Sequence, residues 1–395
     1  MVIRARALCC LAAVIMTAVL CGCWDMHELD SLFIVTGIAL DKAEDDDEIE
    51  LSLQMGKPEP KTSTGNSGGE EKSGSIIMSV NTPTVVDGII EMNRGNSRTL
   101  FLHHNRILLL GSDFAADGIH NRLDLFMRYQ EARMEVLVMV TEEKALDVLS
   151  SEINQEQNSG MYFAKVLKDM SSISREYAVR VLDFNSRRLS GTTAPIAPFA
   201  SVVDNQGKKK LNVSGFAIFK DDKMVYKLDS DETAGYIFAM GNVKRWGLTV
   251  EADEGEAGFF IKSLHTDRKV LIEENGRVRV MLDINAILSI SEVNGFERYK
   301  AKELQAKLTE LSQEEIKKMV LAAFETTKKL NTDIYGFGES VHKKYAKEWN
   351  GGLRESWEVL YPTVVLEVDT AAEIEKSGQI INSPEMKEEV HYEAK

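Results

Sequence analysis

The stretch NRILLLGSDFAADGIHNRLDLFMRYQEARMEVLVMV, Asn105 to Val140, decides the fold class. Asn105 to Gly111 reads as a buried strand and Glu135 to Val140 as the next one. Between them, Asp113 to Arg133 reads as a helix with Phe114, Ile119, Leu123, Phe126 and Met127 turned inward. Upstream, Ile76 to Val80 is a strand, and a helix starts at Thr82-Pro83 with threonine as cap and proline at the first helical position. Val85, Val86, Ile89, Ile90 and Asn93 form its expected buried stripe. Strand–helix–strand–helix–strand predicts a mixed α/β unit with helices laid on a sheet.

Towards the N-terminus, LFIVTGIAL (Leu32 to Leu40) and IELSLQM (Ile49 to Met55) read as two strands joined by the acidic turn DKAEDDDE. That turn lacks the ligand spacing and the glycine of a calcium loop, so it is expected as a solvated hairpin tip. Lys57 to Ser75 is a Gly/Ser/Pro-rich loop, expected to be mobile. Its Gly65-Asn66-Ser67-Gly68-Gly69 matches the serine-hydrolase elbow formally, but no apolar strand precedes it and no helix follows.

Towards the C-terminus, Thr141 is placed to cap a helix through Leu149, and Gly160 to Met170 and Arg175 to Leu189 are helical. Pro195 and Pro198 end this helix-rich stretch, which could form a separate lobe, and Phe199 to Val203 is a strand. Leu211 to Lys220 and Met224 to Leu228 form a hairpin around Asp221-Asp222. A capped helix follows over Asp229 to Met240, then a strand over Trp246 to Glu251. Gly258 to Glu273 and Arg277 to Ser291 are long strands turned at Asn275-Gly276. Ala301 to Leu330 is helical, with a capping box at Ser312 to Glu315 and Ile316, Met319, Val320, Ala323, Phe324 and Leu330 on one face. A short helix around Glu339 to Trp349 and a strand from Thr363 to Val368 finish the pattern. The fold class is therefore α+β: two to three mixed α/β domains with largely antiparallel sheets and helices packed on them.

The chain opens with Arg4 and Arg6 and then runs uncharged from Ala7 to Gly22. That is the pattern of a signal-peptide core, shorter than the ~20 residues needed to span a bilayer. Leu20-Cys21-Gly22-Cys23 resembles the bacterial lipobox, in which the cysteine thiol takes up diacylglycerol and cleavage follows the small residue before it. Residues 1–22 are thus expected as a lipoprotein signal peptide, with cleavage between Gly22 and Cys23 and lipid attachment at Cys23. An uncleaved anchor and ordinary secretion are the competing readings. Cys21 is unusual where small aliphatic or hydroxyl residues are commoner.

All four cysteines, at 9, 10, 21 and 23, lie in or beside this leader, so the mature body has no disulfide framework and no cysteine metal site. Of 395 residues, 373 remain, enough for two or three cored domains. The net charge of −15 becomes −17 once Arg4 and Arg6 are removed, a poor match for nucleic acid or for anionic lipid headgroups. No cofactor, metal or catalytic constellation stands out: the chain lacks H-E-x-x-H, a P-loop and G-x-G-x-x-G. His103 and His104, if in a strand, would face opposite sides. Glu273 and Asp283 pair with nothing that suggests chemistry.

Three segments together resemble the Ger(x)C family, the C subunits of spore nutrient germinant receptors. Cys23-Trp24-Asp25 with Glu28-Leu29 and Val35-Thr36-Gly37-Ile38-Ala39-Leu40-Asp41 resembles the family's mature start. Phe126-Met127-Arg128 with Glu131 and Arg133 is similar to a helix-end pattern. Asn331-Thr332-Asp333-Ile334-Tyr335-Gly336-Phe337-Gly338, then Tyr345, Trp349 and Trp357, is similar to the C-terminal block. The resemblance implies an N-terminal region over 23–200, a C-terminal domain over 205–370 and, beyond the family pattern, an acidic tail over 371–395. It also implies a non-enzymatic lipoprotein on the outer face of the inner spore membrane. Its partners would be a multi-spanning A subunit and a permease-like B subunit.

Two segments are candidates for partner contact. One is Trp24 and Asp25, which the tether holds at the membrane. The other is the Asp333–Gly338 loop, where Gly336 and Gly338 permit positive φ and could present Tyr335 and Phe337. The same loop also fits a helix C-terminal turn whose aromatics cap the core. Two rival functions are a solute-binding lipoprotein serving a transporter, which needs a cleft between two similar lobes, and a cell-wall hydrolase, which needs a placed carboxylate or serine.

Overall fold

The computed structural model describes residues 31–56, 75–128, 135–151 and 158–375. The expected leader, Gly22, Cys23, Trp24 and Asp25, the glycine-serine pattern at 65–69 and the tail beyond 375 lie outside the described residues.

The strands are β1 (Leu32–Lys42), β2 (Ile49–Gly56), β3 (Ser75–Thr82), β4 (Thr99–Phe101), β5 (Ile107–Gly111), β6 (Leu137–Thr141), β7 (Ile196–Asn205), β8 (Lys208–Lys220), β9 (Lys223–Lys227), β10 (Trp246–Ala252), β11 (Gly255–Ile272), β12 (Val278–Gly295) and β13 (Val365–Ile374). The helices are α1 (Val85–Arg94), α2 (Ser112–Asp117), α3 (Asp124–Arg128), α4 (Ala145–Leu149), α5 (Ser159–Ser171), α6 (Val181–Ser190), α7 (Ser230–Met240), α8 (Ala301–Lys329), α9 (Phe337–Lys344) and α10 (Arg354–Leu360).

A large sheet runs β3-β2-β1-β5-β6-β7-β8-β9, with β4 added to the start of β1, and a smaller one runs β10-β11-β12-β13. The middle of the large sheet is parallel (β1, β5, β6, β7), and so is the β12–β13 pair; the outer ribbons are antiparallel. Both faces of the middle are covered, which explains the unbroken apolar run in β5. Leu108 and Leu110 pack with Phe114, Phe126 and Phe184, whereas Ile107 and Leu109 pack with Leu149, Phe163 and Leu167. The hairpin read at Leu211 to Leu228 joins this large sheet, so the sheet draws strands from both sides of residues 200–205. In β8, Ala217 and Phe219 enter the core around Leu108 and Leu110, while Phe216 and Ile218 enter a third core, beneath α7 and lined by the small sheet. That strand is a shared wall.

Two glycines set how closely α5 approaches β1. A Cβ on Gly160 would lie 3.1 Å from Gly37 Cα, and one on Gly37 would lie 2.8 Å from Leu149 Cδ1. Buried Gln54 of β2 fills the remaining polar demand there. Its Oε1 accepts from Gly160 N at 2.8 Å, and its Nε2 donates to Leu149 O at 3.0 Å and Ser159 Oγ at 2.8 Å. At the far end of β1, Asp41 accepts from Ala145 N at 2.7 Å and Leu146 N at 2.8 Å, capping α4 from another strand. Burial pushes the Asp41 carboxyl up, and those two N–H groups pull it back.

Several local expectations are corrected. The cap of α1 is Thr84, which accepts from Asp87 N, not Thr82. Its buried stripe is Val85, Gly88, Ile89 and Met92; Val86 and Ile90 are exposed. Gly88 is the reason: without a side chain it lets the helix settle against Leu51 and Thr82, rotating the stripe. The helix expected over 113–133 ends at Asp117, because Gly118 adopts φ +133. Residues 129–134 lie outside the described set. Ser312 caps nothing. It sits inside the continuous α8 and donates to Leu308 O one turn back at 2.6 Å. Thr141 ends β6 rather than capping α4. The capped helix read from Asp229 is present, and Asp229 and Glu232 close it as a capping box.

The α1 geometry predicts a contrast between neighbours. Ile89→Ala should cost about 2–4 kcal/mol in chemical denaturation, and Ile90→Ala should stay within about 0.5 kcal/mol; equal losses would mean that the helix face is assigned wrongly.

Candidate functional site

The segment NTDIYGFG folds around a single buried carboxylate. Asp333 Oδ1 accepts from the backbone N–H groups of Tyr335 (3.1 Å), Gly336 (2.9 Å) and Phe337 (3.2 Å), and Oδ2 accepts from Gly338 N (2.8 Å). Wrapping four consecutive N–H groups round one side chain needs Gly336 at φ +71. Gly338 has no space for a Cβ, which would meet Trp357 Nε1 at 2.7 Å and Thr192 O at 2.9 Å. Burial pushes the Asp333 carboxyl up, while the N–H groups of Gly338, Phe337 and Gly336 and the Arg268 charge pull it back.

This geometry turns the aromatics inward. Tyr335 is 2% exposed and Phe337 0%, so neither is presented to a partner; they cap the core, the other reading that the sequence left open. Their rings stack at 5.0 Å, and the Arg268 guanidinium lies 4.9 Å from the Phe337 ring while donating to Tyr335 O at 2.8 Å. Tyr335 also packs against Tyr236, whose hydroxyl donates to Glu176 Oε2 at 2.9 Å. Arg175 and Arg187 both reach Glu176. The main chain adds a tie: Ala194 N donates to Asp333 O at 2.7 Å just before β7. The site is a polar seam joining the two halves of the chain.

β1 begins at Leu32 directly after exposed Ser31, and Leu32–Ile34 pairs in parallel with Thr99–Phe101. His103 and His104 lie on a single 3-10 turn, not in a strand, and both rings lie near Phe101, at 4.6 Å and 5.7 Å. Glu273 is held by Arg279, and Asp283 by Lys269 at 2.9 Å, so both carboxylates serve ion pairs. Among the described residues, no group of three or more His, Cys, Asp or Glu could hold a metal ion, and no helix is long and apolar enough to cross a membrane. Gln54, Glu176 and Arg268 were not singled out by sequence, and Asp41 entered only as part of a family segment, with no role. An acid followed by Y-G-F-G is the one local hint of the wrapped carboxylate.

The seam makes two predictions. Asp333→Asn keeps the size but halves the acceptor capacity, so it should lower stability by about 2–4 kcal/mol; a change below about 0.5 kcal/mol in denaturant titration would contradict the wrapping. Burial also raises Tyr177, Tyr236, Tyr335 and Tyr361 above the usual phenol range. The folded state therefore keeps phenol protons that the unfolded chain releases, so this contribution is whole below about pH 10. It declines as pH rises further. Ultraviolet titration should show these phenols ionising together with unfolding, and their ionisation in an intact fold would contradict the burial.

Two family models cover nearly all of the described chain: "Spore germination protein N-terminal domain" over residues 25–202 and "Spore germination B3/ GerAC like, C-terminal" over 214–378. Their boundary falls between β7 and β8, two strands paired within one sheet. Relatives from Bacillus subtilis (strain 168) include putative spore germination protein YfkR, 23% identical over 93% of this chain and 96% of that protein. Spore germination protein KC is 22% identical over 95% and 97% respectively. The crystal structure of the GerBC protein has the same fold, with a TM-score of 0.56 at 17% identity, covering 89% of this chain and 99% of that one. The chain belongs to the Ger(x)C family of spore germination proteins, the germinant receptor C subunits.

Proposed function

We propose that this protein is the lipid-anchored subunit of a germinant receptor, acting by protein–protein contact at the outer face of the inner spore membrane. The leader is removed after Gly22, Cys23 carries the lipid, and the body meets a multi-spanning A subunit and a permease-like B subunit. Trp24 and Asp25, beside the anchor, are the proposed contact residues. Two or three acyl chains at ~0.8 kcal/mol per buried methylene hold such a body on the bilayer. The observation that carries this reading is the position of β1. Seven residues lie between Cys23 and Ser31, so the eight Cα steps reach at most about 28 Å, and the chain then enters the large sheet at once. The tether is short and ends in the core. Binding in a cleft between two similar lobes fits less well, because a nine-stranded sheet and a four-stranded sheet are not alike.

Cys23→Ala should shift the protein from the spore membrane fraction to the soluble fraction and abolish the response to one class of nutrient, with spore formation unchanged. Membrane retention with normal germination would overturn the anchoring step. Trp24→Ala should leave the protein on the membrane and reduce its co-purification with the A and B subunits; undiminished recovery of both would remove Trp24 from the contact.

A further inference from the structure

The chain carries 62 acidic residues against 47 basic ones, yet from Met92 to Ser112 it contains none of the former. That stretch, MNRGNSRTLFLHHNRILLLGS, holds Arg94, Arg98, Arg106 and two histidines. The fold places it at the base of the tether. Thr99–Phe101 pairs beside Leu32–Ile34, the first residues of β1, and Arg106 N donates to Thr36 O at 3.1 Å. Arg94 and Arg106 are exposed, and half-buried Arg98 lies over the half-buried Phe33 ring at 5.4 Å. Phe101, also half-buried, stacks on His103 at 4.6 Å. Of the described carboxylates nearby, Glu135, just before β6, and Asp183, on α6, lie by Arg180, and exposed Glu91 lies one turn before Arg94. The stretch itself carries three arginines and no carboxylate, and aromatic rings edge it.

We propose that this edge, Arg94, Arg98 and Arg106 with Phe33 and Phe101, seats on the anionic phospholipid headgroups of the bilayer to which the protein is tethered. The proposal rests on the tethered reading above for its geometry. Guanidinium groups pair with phosphate oxygens, and rings with one apolar face suit the headgroup boundary. The rest of the surface, strongly negative, is repelled by the same lipids. Attraction at one end and repulsion elsewhere fix which way the body stands, so the seam and the small sheet are held in one orientation towards membrane-embedded partners. A lipid tether alone leaves rotation about the linker free.

The test uses the chain from Cys23 onward, in which that cysteine is the one thiol. It is coupled through Cys23 to maleimide-bearing lipid in vesicles of phosphatidylcholine alone or mixed with phosphatidylglycerol. Amide hydrogen exchange over residues 94–106 is expected to slow on the anionic vesicles, by about fivefold for each arginine engaged, and the slowing should fade as salt is raised. Replacing all three arginines by glutamine should erase the effect while exchange in β5 stays unchanged, and replacement by lysine should retain most of it. Equal exchange on both vesicle types, or slowing that survives the glutamine changes, would overturn the proposal. So would slowing that appears only when a receptor membrane subunit is added, which would assign the edge to a protein. Because attachment is chemical, failure here leaves acylation of Cys23 in the cell unaffected, and loss of acylation there leaves this edge untouched.

Discussion

Strand β1 has to satisfy several neighbours at once, and the architecture of the first half follows from that demand. Its hydrogen bonds go to β2 on one side and to β5 and β4 on the other. Gly37 leaves room for α5, Asp41 closes the start of α4, and Thr36 Oγ1 donates to Gln54 O at 3.2 Å. Any pull on the chain between Cys23 and Ser31 is therefore delivered to the centre of the sheet rather than to a fraying edge. The motif V-T-G-I-A-L-D reads as a fold requirement first: each of Thr36, Gly37 and Asp41 has an identified contact.

Coupling between the two halves has a similar physical basis. β8 contributes alternate side chains to a core of each half, and the seam from Asp333 through Arg268, Tyr335 and Tyr236 to Glu176 crosses from one half to the other. Charged groups in such a seam add little net stability compared with apolar packing, but removing one partner strands the others. The seam therefore specifies how the halves sit together.

Much of this was legible in sequence, and the physical reasons are specific. β5 was read as a buried strand, because its four consecutive apolar residues need cover on both faces, but the sheets were expected as largely antiparallel and the parallel centre was not read. The β11–β12 hairpin was marked by Asn275-Gly276, with Gly276 at φ +80. Illegible features depended on distant partners. Asp41 caps a helix 104 residues away, a contact that no local pattern encodes. Gly88, absent from the expected stripe, is where α1 comes close to Leu51 and Thr82, so the buried face is Val85, Gly88, Ile89 and Met92. Tyr335 and Phe337 looked presentable beside two glycines, yet those glycines exist to let four N–H groups reach Asp333. The parallel pairing of β13 with β12 was hidden because one strand at a sheet edge reads the same in either direction. Of the candidate site, Tyr335 and Phe337 were misjudged by orientation, while Cys23, Trp24 and Asp25 lie outside the described residues.

The central claim is that one sulfur fastens this acidic body to the spore's inner membrane, and it is tested most directly at the N-terminus of the protein taken from spores. Mass spectrometry of the membrane-extracted protein should find residues 1–22 missing and the first peptide beginning at an acylated Cys23. A first peptide that retains the leader, or one that begins at an unmodified Cys23, would contradict the account.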